Sequence, residues 1–192
     1  MAAISGFGRF AARRRGTGRQ PRRYARQMAP SDVIALYPAT RDRHAMQTKL
    51  LHEGTGKRTF AVILRTGDEA IRCLQEFAVR ERLGASQITA IGALSGGKLA
   101  FFDWESKTYR PIPVEEQVEV ASLIGDIAIG PDGKPSIHVH AVLGRRDGTA
   151  MAGHLQEARV RPTLEIIVTE SPAHLCKVKD PESGLALISV RS

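Results

Sequence analysis

The stretch VEVASLIGDIAIGPDGKPSIHVHAVL, residues 118–143, decides how the fold is read. Val118–Leu123 and Ile127–Ile129 are apolar-rich runs of strand length, and Gly130-Pro131-Asp132-Gly133-Lys134 has the composition of a turn. Ser136–Leu143 then alternates with a period close to two, which predicts a half-buried strand. On such a strand His138 and His140 leave the same face about 7 Å apart. One metal ion can bridge both rings. Fourteen residues after His140 comes Gly153-His154-Leu155. A third imidazole at His154 would complete a three-histidine set of the kind that holds zinc and leaves one coordination position open.

Working outward, Gln47–Glu53 and Arg58–Arg65 read as strands around a turn at Gly54-Thr55-Gly56-Lys57. Thr66-Gly67-Asp68-Glu69 has the pattern of a capping box, which makes Thr66 the expected start of a helix. Behind it Ala70, Ile71, Leu74, Phe77 and Ala78 recur at helical spacing, with Gly84 as the stop. Further strands are expected at Gln87–Leu94, Lys98–Trp104, Thr108–Val114, Thr163–Thr169 and Leu185–Val190, with Ser95-Gly96-Gly97 as a turn. Ala150–Val160 suits either a short helix or an irregular strand. Closely joined strands with one helix imply an α+β fold, a mainly antiparallel β-sheet sandwich with one main helix packed on it. Unpaired apolar edges favour association, and a small closed ring of copies is the expected oligomer.

The net charge of +8 is unevenly distributed. Residues 1–30 hold eight arginines and no acid, whereas beyond residue 45 eighteen Lys and Arg meet eighteen Asp and Glu. The high pI thus belongs to the N-terminal segment. Residues 1–45 are expected to be a disordered Arg-rich extension and 46–192 the folded domain. Three readings of the extension compete: phosphate neutralisation on DNA, an organellar transit peptide, or translation that starts at Met28 or Met46. Arg15-Gly16-Thr17-Gly18-Arg19-Gln20-Pro21-Arg22-Arg23 resembles an AT-hook whose Gly-Arg-Pro core is broken by Gln20. No stretch approaches the roughly 18 apolar residues of a membrane span. Cys73 and Cys176 have no metal or redox spacing, so a reducing cytoplasm is the expected compartment.

Ser122-Leu123-Ile124-Gly125, His138-Val139-His140, Gly144 through Asp147-Gly148, and Gly153-His154-Leu155 occur in an order that resembles the PPC (plants and prokaryotes conserved, PD1-like DNA-binding) domain family, bacterial type. The resemblance covers about residues 46–190, and Ala152 stands where the family often has the first of two glycines. It implies a trimer with the histidine cluster near subunit boundaries, zinc on His138, His140 and His154, and a DNA-associated role inherited from plant members that carry AT-hooks. The fold is also similar to a wider group that includes acetolactate decarboxylase. That likeness implies the alternative, a zinc-dependent lyase or hydrolase acting on a small anionic or carbonyl substrate.

Asp126, Glu157 and Glu165 are candidates for the carboxylate that orients a ligand histidine. Glu157 is also the candidate general base, because in a helix it would share a face with His154. Arg145, Arg146, Arg159 and Arg161 form a candidate anion or nucleic-acid cluster. His44, His52 and His174 lack comparable company and read as surface or interface residues, and Phe101, Phe102 and Trp104 as core or subunit contact.

Overall fold

The computed structural model describes residues 46–190; the Arg-rich extension, Met28 and His44 lie outside the described residues. The chain builds β1 (Gln47–Gly54), β2 (Lys57–Arg65), α1 (Ala70–Glu81), β3 (Ala85–Asp103), β4 (Thr108–Val114), β5 (Val118–Ile129), β6 (Pro135–Gly144), β7 (Ala150–Glu170), β8 (Cys176–Lys179) and β9 (Ala186–Ser189). It is a mainly β-sheet domain with one short helix. None of the helices among the described residues is long and apolar enough to cross a membrane.

The expected sandwich is corrected to a single nine-stranded sheet that closes on itself. β3 pairs with β5, β5 with β6, β6 with β7, and β7 again with β3, every pairing antiparallel. Closure is possible because β3 and β7 are long and bent. Their ladder runs from Ser86↔Glu170 to Ala100↔His154 with three register shifts, so each strand serves two sides of the ring. The predicted turn at Ser95-Gly96-Gly97 therefore lies inside continuous β3. The glycine serves close approach rather than chain reversal: a Cβ on Gly97 would stand 2.2 Å from the Glu157 carbonyl oxygen of β7. Ala150–Val160 is likewise strand, continuous with the predicted Thr163–Thr169.

The helix begins at Ala70, not at Thr66. Glu69 is extended, pairs with Arg159 of β7, and caps α1 itself by accepting from the backbone N–H groups of Ile71 and Arg72. The same carboxylate accepts from Ala158 N–H at 3.0 Å, which ties the helix start to β7. Thr66 instead donates its hydroxyl to the Pro162 carbonyl. The helix stops at left-handed Arg82, before Gly84. Ala70, Cys73, Leu74, Phe77 and Ala78 form the buried stripe, and Phe77 meets Phe60 of β2 edge to face at 5.3 Å. Buried Glu170, at the end of β7, accepts from Gly84 N–H, Ala85 N–H and the Ser86 hydroxyl, so both of its side-chain oxygens are hydrogen-bonded.

β6 sits against β5 with no spare room. A Cβ on Gly125 would stand 2.1 Å from the His138 carbonyl oxygen and 2.6 Å from a Val139 methyl. Gly125→Ala is expected to lower unfolding stability by about 1–3 kcal/mol, the range for overpacking, measured by urea denaturation. A wild-type midpoint would show that β5 and β6 separate without cost.

Candidate metal centre

The antiparallel register of β6 and β7 brings the three histidines together. His140 lies directly opposite His154 across that pair, and His138 is two residues from His140 on the same face. Val139, Ala141 and Leu155 point into the core, so the imidazoles project from the other face of the sheet. Their ring centroids form a near-equilateral triangle with sides of 5.1, 5.2 and 5.4 Å. One nitrogen from each lies within 4.8 Å of the others. His138 Nε2 and His140 Nε2 are 3.2 Å apart, which suits two ligands of one tetrahedral zinc, whose nitrogens stand about 3.3 Å apart when each bond is about 2.0–2.1 Å.

Electrostatics favour the neutral, metal-ready imidazole. Burial, then the neighbouring His138 and His140 and the Lys177 ammonium, push His154 down to about 4. Burial and then His138 also lower His140. His154 Nδ1 is buried with no hydrogen-bond partner among the described residues. An orphaned ring nitrogen is costly unless something accepts its lone pair or its proton, and the donor set fits a borderline cation such as zinc.

The surroundings come from three further strands. Tyr109 of β4 stacks on His154 at 4.8 Å between centroids, and burial raises its hydroxyl pKa. Asp126 of β5, paired in register with His138, places Oδ2 at 3.7 Å from His138 Nδ1. Lys177 of β8, buried, lies with Nζ 2.9 Å from Asp126 Oδ1 and donates to the Ser136 carbonyl at 3.0 Å. Burial raises the Asp126 pKa, but the adjacent His138 ring and Lys177 ammonium outweigh it and hold the carboxyl below its usual range. Tyr109 and Lys177 escaped the sequence reading. A lone tyrosine in a strand carries no signal, and Cys176-Lys177-Val178-Lys179 gives none that one lysine is buried.

Of the three carboxylates considered, Asp126 is the one beside the histidines. Glu157 lies in β7, a strand rather than a helix, and is exposed and ion-paired with Lys98. The extra residue at Gln156 shifts the register there, so Leu155 and Ala158 both enter the core. His154 and Glu157 consequently share the outer face. Glu165 is exposed on the far half of β7, opposite Ile63 and Ile91.

The four arginines do not surround the histidines. Arg145 and Arg146 occupy the β6–β7 turn and line, with Glu116, Gln117 and Glu119, an open cleft of about 530 Å³. That turn begins five residues beyond His140, about 16 Å along the strand. Arg145 pairs with Glu116 at 2.9 Å and Arg161 donates to Gln117 at 3.2 Å. Arg159 is exposed on β7 and its carbonyl accepts from Ser95.

The depressed His154 sets a pH dependence. Unfolded chain takes up the proton near 6.5 and folded chain only near 4, so stability is complete above 6.5 and falls as pH drops between these values. Metal-free protein is expected to lose urea midpoint across that window, and His154→Asn to flatten the loss. An equal slope in both would show that His154 is not held neutral.

Comparison with known proteins identifies the fold and the family. A metal-containing protein from Archaeoglobus fulgidus superposes with a TM-score of 0.64 at 29% identity, covering 76% of this chain and 98% of that one. A plant- and prokaryote-conserved protein from Pyrococcus horikoshii gives 0.65 at 29%, covering 77% and 96%. A candidate DNA-binding protein from Ralstonia eutropha JMP134 gives 0.64 at 30%, covering 69% and 91%. No match was found among curated proteins. The model of the Plants and Prokaryotes Conserved domain matches residues 51–172, and the chain belongs to that family.

Proposed function

We propose that the domain of residues 46–192 binds one divalent metal ion, zinc first, through His138, His140 and His154, and that it works as a trimer. The observation that carries the metal reading is the convergence of three imidazoles on one small volume, with His154 Nδ1 buried and unpartnered. Bound zinc would supply Lewis acidity and an acidified water. The chain supplies the rest: Asp126 orients His138, Tyr109 walls His154, and exposed His140 leaves an approach from solvent. Assembly is supported by Ile91, Ile124, Ile167 and Phe101, all exposed on strands, of which Ile124 lies directly opposite His140. Free Cys73 and Cys176 suit a cytoplasmic setting.

The full chain is expected to sediment as three copies and to carry about one zinc per chain by elemental mass spectrometry. The double variant His138→Ala, His140→Ala is expected to lose the metal. A metal-free wild type removes the centre, and a monomer removes the trimer.

For the role of the protein we favour association with DNA, supported by the arginines of residues 9–26 and by relatives described as candidate DNA-binding proteins. The balanced charge beyond residue 45 assigns the phosphate contacts mainly to the extension. Replacing Arg13, Arg14, Arg15, Arg19, Arg22 and Arg23 with Ala is expected to abolish salt-sensitive retention on DNA. Retention that is absent in wild type, or unchanged in the variant, refutes this role. The second reading is a zinc-dependent lyase or hydrolase on a small anionic or carbonyl substrate. The exposed His140 favours it, and Glu157, whose pKa is lowered by Lys98 on the same face, is its candidate base.

A further inference from the structure

We infer that Lys177 is a positioning residue for the histidine centre and acts through Asp126; the inference rests on the metal reading above. Lys177 reaches the site from β8, 51 positions after Asp126 and 39 after His138. Only 3% of its side chain is exposed, against 27% for Asp126. Removing an ammonium from water costs several kcal/mol unless charge and hydrogen bonds replace the hydration. A methionine of similar length would fill the same space without that cost, so the charge calls for a role beyond packing.

The partners of the ammonium define that role. Nζ lies 2.9 Å from Asp126 Oδ1 on β5 and donates at 3.0 Å to the carbonyl of Ser136, two residues before His138 on β6. The lysine thus clasps both strands that flank the His138 ring. With Oδ1 ion-paired to Lys177, Oδ2 is the oxygen turned to His138, 3.7 Å from Nδ1. The opposite ring nitrogen, Nε2, faces His140 Nε2 at 3.2 Å. Lys177 and Asp126 together set which nitrogen of His138 carries the proton and which is presented to the centre. Without the clasp, the carboxylate is free to rotate and the ring loses its fixed orientation.

The test measures zinc affinity of the full chain by competition with a chromophoric chelator in four proteins: wild type, Lys177→Met, Asp126→Asn and the double variant. Lys177→Met is expected to bind zinc about 10- to 100-fold more weakly, the usual effect of losing an outer partner of a ligand histidine. The double variant is expected to match Asp126→Asn within about threefold, because a lysine that acts only through Asp126 adds nothing once the carboxylate is gone. Nitrogen-15 NMR of the His138 ring in metal-free wild type should find the proton on Nδ1, and in Lys177→Met a mixture of both tautomers. Wild-type affinity in Lys177→Met, or a double variant clearly weaker than Asp126→Asn, overturns the inference. If Lys177→Met does not fold, the comparison of Asp126→Asn with the double variant decides by the same criterion. A wild type that binds no zinc overturns the metal reading instead, and the His138 proton position then decides the role of Lys177.

Discussion

The antiparallel pairing of β3 with β7 is the constraint on which the rest of the molecule depends. One half of each strand faces β2 or β5, and the other half faces β4 or β6. The register shifts and close-approach glycines bend the ladder so that the sheet meets itself. Because β7 is continuous through the bend, the segment with His154 is carried to β6, where His138 and His140 already face outward. The β6–β7 register sets the histidine triangle, and the bent ladder brings β4 and β5 beside it.

That placement explains the electrostatics. A site on the outer face of a sheet is normally wet, and wet histidines titrate near their ordinary value. Here Tyr109 covers His154 from β4, and buried Lys177 adds a positive charge from β8. Desolvation and like charge both oppose protonation. The site combines an open side at His140 with a closed side at His154, an asymmetry suited to holding a cation while admitting something from solvent.

Much of this was legible in the chain. The alternation of Ser136–Leu143 placed His138 and His140 on one face, and Gly153-His154-Leu155 supplied the third ring. The apolar stripe of the helix was also plain. Other features were not, for identifiable reasons. Ser95-Gly96-Gly97 looks like a turn, because local composition cannot distinguish a glycine that reverses the chain from one that lets β7 approach. Gly125, Pro162 and the polar residues of 150–160 likewise broke two long strands into apparent fragments. The cap moved from Thr66 to Glu69 because β7 claims the Glu69 backbone, a tertiary contact that local spacing cannot encode. Lys177 was invisible because its burial depends on β8 docking beside β5, through the single pair Ile129↔Cys176.

All three imidazoles belong to one hairpin, β6 and β7, and this bears on the order of assembly. His140 and His154 are fourteen positions apart, whereas the pair Arg58↔Glu170 closes a separation of 112. By loop-closure entropy the hairpin contact costs about 2 kcal/mol less to form than the distant one. The histidine triangle is thus a local contact, and Asp126 is equally local, twelve positions from His138 across the β5–β6 pair, whereas Tyr109 and Lys177 come from more distant positions in the chain. Loop-closure entropy therefore favours meeting of the three imidazoles before Tyr109 and Lys177 dock beside them.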